Sequence, residues 1–111
     1  MIIKVAMLAN QPLKNGQPVI REVDVPDEKV TDNEEQLLEQ VVKYGQNDFQ
    51  PVPNCCSVSV CDCILLDDKY FLVDGLGFEE ITKEKYEEMV EFLRASPENI
   101  YELRYKYLPF K

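Results

Sequence analysis

Four cysteines fall within nine residues, as Cys55-Cys56-x-x-x-x-Cys61-x-Cys63. Such a cluster could ligate zinc or supply a thiolate nucleophile. Structural zinc sites pair cysteines two to four residues apart on turns, in two separate knuckles. Here Cys55 and Cys56 are adjacent, Cys61 and Cys63 alternate along a strand-like run, and the chain has no histidine. A thiol nucleophile needs a base, and without histidine the common Cys–His pair cannot form within one chain. The 21 carboxylates are scattered and single out no acid–base pair. No phosphate-binding glycine motif occurs, and Gly75-Leu76-Gly77 is too short to act as one. The expectation is a non-enzymatic protein with no cofactor and no metal. A cysteine- or metal-dependent enzyme remains the weakest alternative.

The surface carries the next signal. With 12 basic and 21 acidic residues the formal net charge is −9. This opposes direct nucleic-acid binding, which draws its affinity from lysine and arginine. It suits a basic protein partner. At 111 residues, 45% hydrophobic and 30% charged, the chain fits one soluble domain. No apolar run approaches the roughly 18 residues of a membrane helix. The N-terminus carries no targeting signal and runs straight into strand-like sequence, so a cytoplasmic protein with no membrane association is expected.

Periodicity places the elements. Ile2–Leu8 and Val19–Val25 read as strands, with Ile3, Val5 and Met7 on one face of the first and Val19, Val23 and Val25 aligned on the second. Between them Asn15-Gly16 signals a hairpin turn, in a connection lengthened by Pro12 and Pro18. Thr31-Asp32-Asn33-Glu34 has capping-box spacing, and a helix follows from about Asp32 to Tyr44, with Gly45 as its stop. The loop Gln46–Asn54 has no periodicity. Asn47, Asp48 and Phe49 within it are candidate recognition residues, unless Phe49 simply plugs the core edge. A second helix begins at Thr82, with Tyr86, Met89, Val90 and Leu93 inward and Glu84, Glu87, Glu88 and Glu91 as an acidic outer face. Ser96-Pro97 resembles a helix start. The alternation of Tyr101, Leu103, Tyr105 and Tyr107 against Glu102, Arg104 and Lys106 instead predicts a final strand.

The centre of the chain reads as a β-hairpin, Val58–Leu66 and Tyr70–Val73 joined by Asp67-Asp68-Lys69. Val58, Val60, Ile64 and Leu66 share one side of its first strand, interrupted by Asp62. An unpaired buried carboxylate is costly. A bend or bulge is therefore expected, with the Asp62 carboxylate accepting backbone N–H groups. Asp74-Gly75-Leu76-Gly77 offers two positions for positive φ. Phe78 then returns to the core, and Glu79-Glu80-Ile81 leads into the second helix.

The run Ser57-Val58-Ser59-Val60-x-Asp62-x-Ile64, a turn, then Tyr70-x-Leu72-Val73-Asp74-x-x-Gly77-Phe78 resembles the YodL-like family. These are small proteins of phages, plasmids and integrative elements of Firmicutes. Asn47-Asp48-Phe49 resembles the family's lead-in. The chain departs from the pattern at Cys61 and Cys63, where the family has a small residue and a valine. The resemblance therefore implies a packing role for these two cysteines. It makes Ser57, Ser59, Asp62, Asp74, Gly77 and Phe78 structural and brings no catalytic residues.

The combined expectation is one α+β domain, an antiparallel sheet of four to six strands with two helices on one face. Its function would be that of a small acidic protein-interaction module of mobile-element type. The alternative is an acidic inhibitor that mimics nucleic acid toward a host nuclease or a similar basic protein.

Overall fold

The computed structural model describes residues 1–108. The strands are β1 (Ile2–Met7), β2 (Val19–Asp24), β3 (Cys63–Leu66), β4 (Lys69–Asp74) and β5 (Gly77–Ile81). They form one antiparallel sheet in the order β2-β1-β3-β4-β5. Helix α1 (Glu34–Tyr44) connects β2 to β3, and α2 (Lys83–Ala95) follows β5. A 3-10 turn at Pro97–Tyr101 and the short helix α3 (Leu103–Tyr107) follow as the last elements among the described residues. The domain is α+β, as the sequence predicts.

Two of the hairpins close on turns that need positive φ. Asn15 and Gly16 stand at φ 55° and 73°, inside the Lys14–Gln17 bridge of the β1–β2 connection. Asp67 and Asp68 stand at φ 51° and 63° between β3 and β4. Two consecutive positive φ values match the twist of the flanking strands. Helix α1 starts later than the capping box suggested. Asn33 is its cap and accepts from Gln36 N at 2.9 Å, while the Thr31 hydroxyl accepts from Asn33 N.

The helices lie on opposite faces of the sheet, not on one. Ile3, Val5 and Met7 of β1, Ile64 and Leu66 of β3, and Phe71 and Val73 of β4 pack with Leu37, Leu38 and Val41 of α1. Ala6 and Leu8, Cys61 and Cys63, and Leu72 pack with Met89, Val90 and Leu93 of α2 and with Leu103 and Tyr107 of α3. A sheet covered on both faces needs apolar side chains in both directions. The unbroken runs Ile64-Leu65-Leu66 and Tyr70–Val73 carried that signal.

Three further expectations are corrected. The stretch around 101–107 is helical. Leu103 and Tyr107, four apart, are buried, whereas Tyr101 and Tyr105 are exposed. Spacing of four is helical, and the tyrosine alternation came from two exposed and two buried positions that happen to alternate. Only Cys63–Leu66 of the expected first hairpin strand pairs as strand, because the chain turns at Ser59–Asp62. Residues 77–81 form β5 rather than a lead into the helix. Of the two glycines there only Gly77 has positive φ, at 153°.

Gly45 ends α1 for a reason other than backbone freedom, since its φ is −80°. A Cβ there would lie 2.5 Å from Val58 Cγ2 and 2.8 Å from the Val41 carbonyl oxygen. Val58 N donates to Gly45 O at 3.0 Å, so the two segments are held in contact. Gly45→Ala is expected to destabilise the protein by about 1–3 kcal/mol through overpacking, read as a lower denaturant midpoint with unchanged slope.

Candidate functional site

Two buried polar side chains organise the region that the sequence singled out. The first is Asp62, which is fully buried. Asp62 N donates back to Ser59 O at 3.0 Å, across a turn whose third residue, Cys61, stands at φ 78°. Cys61 N donates to Val73 O, and Val73 N donates to Asp62 O. Two residues of one strand thus face one residue of β4, which is a β-bulge. The left-handed conformation costs a non-glycine residue about 1–2 kcal/mol.

The bulge takes Asp62 out of the ladder with β1, whose pairing with β3 ends at Ala6↔Cys63. Leu8 and Ala9 then need another acceptor. The Asp62 carboxylate supplies it, Oδ1 accepting from Leu8 N at 2.8 Å and from Ala9 N at 2.9 Å. Oδ2 accepts from Ser59 N at 2.8 Å. One side chain thereby joins β1, the turn and β3, in the role expected of it. Burial pushes the Asp62 carboxyl up to about 6, against the opposing pull of the three N–H donors.

The second is Arg21, which the sequence reading passed over. It occupies the inward row of β2 between Val19 and Val23 and is buried. Its guanidinium donates to Asn47 Oδ1 and Cys56 O at 2.8 Å, and to Gln50 O. Asn47 also donates to Cys55 O, and its backbone N–H reaches Ser57 Oγ at 2.9 Å. Asn47 therefore ties the loop to β2. Phe49 does not plug the core. It is 53% exposed and meets the Tyr44 ring edge-on at 5.7 Å. Asp48 is exposed beside it. A lone arginine in an otherwise apolar alternating row was the available clue.

The remaining candidates fall elsewhere. Glu84, Glu87, Glu88 and Glu91 are exposed on α2, across the sheet from the layer that ends in Asn47, Asp48 and Phe49. The two groups do not form one surface. Glu91 is bonded to Arg94, and Lys83, Lys85, Arg104 and Lys106 share the α2–α3 layer. The acidic excess lies on the other layer. Asp27, Glu28, Asp32, Glu34, Glu35 and Glu39 have only Lys29 and Lys43 against them in that stretch. Asp67, Asp68, Asp74, Glu79 and Glu80 have only Lys69, which pairs with Glu34 at 3.2 Å. Ser59 Oγ bonds Ser57 O, Asp74 pairs with Gly77 across the β4–β5 turn, and Phe78 packs on the α1-side core.

The cysteines do not converge. Cys55 and Cys56 pack at the margin of the α1-side core, and Cys61 and Cys63 sit in the α2-side core. Burial pushes the thiols of Cys61 and Cys63 up to about 12, with the Asp62 charge adding to it. Among the described residues no helix is long and apolar enough to cross a membrane. Comparisons with protein-family models, with curated proteins and with solved structures gave no match.

Two predictions follow from these positions. Asp62→Ala strands three N–H donors, one of them on fully buried Leu8, and should cost about 3 kcal/mol in a denaturant titration. Because the folded-state value is raised, the stability linked to protonated Asp62 is present at pH below about 4 and lost as pH rises through about 6. Wild type should thus gain on Asp62→Asn as pH falls from about 7 to about 4. The second prediction concerns the thiols. In native protein a maleimide should label only Cys55 and Cys56, with Cys61 and Cys63 reacting after denaturation, as counted by mass spectrometry.

Proposed function

We propose that this chain is a small acidic protein-interaction module of the mobile-element type that its central motif resembles, with a basic protein as partner. One observation supports this above the others. The net negative charge is concentrated on the α1 layer and on the turns and edge strand beside it, while the α2–α3 layer is close to balanced. Charge held on one side steers an oppositely charged partner to that side and speeds encounter, an effect that salt weakens.

The same asymmetry favours one second reading, an acidic inhibitor that covers the nucleic-acid-binding surface of a host nuclease or similar protein. The two readings differ in what the partner loses, since an inhibitor competes with DNA or RNA for the surface it covers.

The test is capture of partners from a Firmicutes lysate at low and high salt, with identification by mass spectrometry. A basic partner should be captured at low salt and released at high salt. Glu34→Gln, Glu35→Gln and Glu39→Gln together should weaken capture several-fold. The combined Gln variant of Glu84, Glu87, Glu88 and Glu91 should weaken it less, because those carboxylates stand among cations. Capture indifferent to salt and to both variants would leave the acidic layer as solvated surface and sink the reading.

A further inference from the structure

β5 is an edge strand with an open outer side. Within the sheet it pairs only with β4. Val73 directs its N–H and C=O toward Asp62 and Cys61 on the β3 side. By the alternation of an antiparallel ladder, Leu72 and Asp74 then turn theirs toward β5. Their partners there are Glu79 and Gly77. The N–H and C=O of Phe78 and Glu80 therefore point away from the sheet, and no described residue bonds to them.

The opposite edge is capped at one end, while the outward groups of Ile20 and Glu22 bond to no described residue. Val25 N bonds Met1 O, so Asp24 on β2 faces outward. The Gln50 side-chain amide accepts from Asp24 N and donates to Asp24 O, taking the place of a neighbouring strand. Pro18 and Pro26 flank β2 as well, and proline discourages strand addition.

Charge selects the occupant of the open edge. Glu79 and Glu80 project from the two faces of β5, and Asp74 immediately precedes its turn. Glu35 of α1 reaches its start, where a Cβ on Gly77 would lie 3.9 Å from Glu35 Oε1. Beside its far end is a hollow of about 500 Å³ with room for a long side chain, where Asp68 and Glu80 stand against Lys69 and Lys83, so the cation preference comes from Glu79, Asp74 and Glu35 rather than from the hollow. A second copy of the chain fits poorly. The register that uses both Phe78 and Glu80 would set Glu79 against Glu79 of the other copy, and like charges directly opposite destabilise a pair.

We propose that β5 is a docking edge, to which an extended segment of a partner protein bearing lysine or arginine adds as a sixth strand. Backbone bonds to Phe78 and Glu80 supply the affinity, and the flanking carboxylates supply the preference for cations. This rests on the reading of the chain as an interaction module for a basic partner and names the surface that module uses.

The probe is a short synthetic peptide of alternating lysine and threonine, titrated at low salt into isotope-labelled protein and followed by NMR. The amides of Phe78 and Glu80 should shift and gain protection from exchange, and that of Asp24, already bonded to the Gln50 side chain, should not. Glu80→Pro removes an outward N–H that β4 does not use and should abolish the effect. Should that variant misfold, the same peptide N-methylated on alternate residues must fail to bind the wild type. Glu79→Gln should keep the protection with affinity lowered several-fold. Shifts confined to the α1 carboxylates would overturn the edge inference while leaving the interaction reading intact. Absence of any shift would also overturn it, and the interaction reading would then stand or fall on the salt-dependent capture alone. A dimer in sedimentation that Glu80→Pro dissociates would overturn the choice of occupant.

Discussion

The sheet depends on a carboxylate that substitutes for a stretch of backbone. Where the chain bulges at Cys61–Asp62, the ladder between β1 and β3 loses its register and Leu8 would be left with a buried, unpaired N–H. The Asp62 carboxylate accepts that donor together with Ala9 N and Ser59 N. The bulge and the aspartate therefore belong together. Without the carboxylate the turn would leave orphaned donors, and without the turn the carboxylate would have to sit in a regular strand with nothing to bond.

The fold carries a second buried charge of opposite sign, and the two do not meet. Asp62 is held by N–H groups at the end of β1, and Arg21 is held by carbonyl oxygens of the 46–56 loop and by Asn47. Each ion is compensated by oriented peptide dipoles rather than by a counter-ion. Such a charge fixes segments that have no regular structure of their own, because the cost of leaving it unbonded is high. The long loop after α1 is thus anchored from beneath by Arg21, while Phe49 and Asp48 remain at the surface. Gln50 serves both ends of this arrangement. Its carbonyl receives Arg21, and its side-chain amide seals the β2 edge at Asp24.

With the β2 edge capped at Asp24 and the β5 edge uncapped among the described residues, the two edges differ in their backbone as well as in their charge. The open edge at β5 stands beside the acidic α1 layer, and the balanced α2–α3 layer covers the other face. On the proposed reading this asymmetry is what the domain offers a partner. Arg21 matters to it indirectly, since it holds Gln50, whose side chain caps the β2 edge at Asp24.

The sequence by itself determined the strands β1, β2 and β4, both long helices, the Asn15-Gly16 turn, the place of the β3–β4 turn and the structural role of Asp62. These rest on local forces: alternation, caps, turn residues with little steric penalty for positive φ, and the cost of an isolated buried charge. What only the tertiary structure decided was which side of the sheet each helix covers, that Arg21 is buried, that residues 77–81 form an edge strand, and that 103–107 are helical. Each of these turns on a tertiary neighbour, distant in the chain for Arg21 and close for β5. Arg21 is tolerable inside only because the 46–56 loop brings carbonyl oxygens to it. Gly77–Ile81 is a strand because Asp74 and Leu72 present free backbone groups there. The tyrosines near the end could alternate along a strand or wind round a helix, and the choice fell to the α2-side core, which accepts Leu103 and Tyr107 but has no place for Tyr101 and Tyr105.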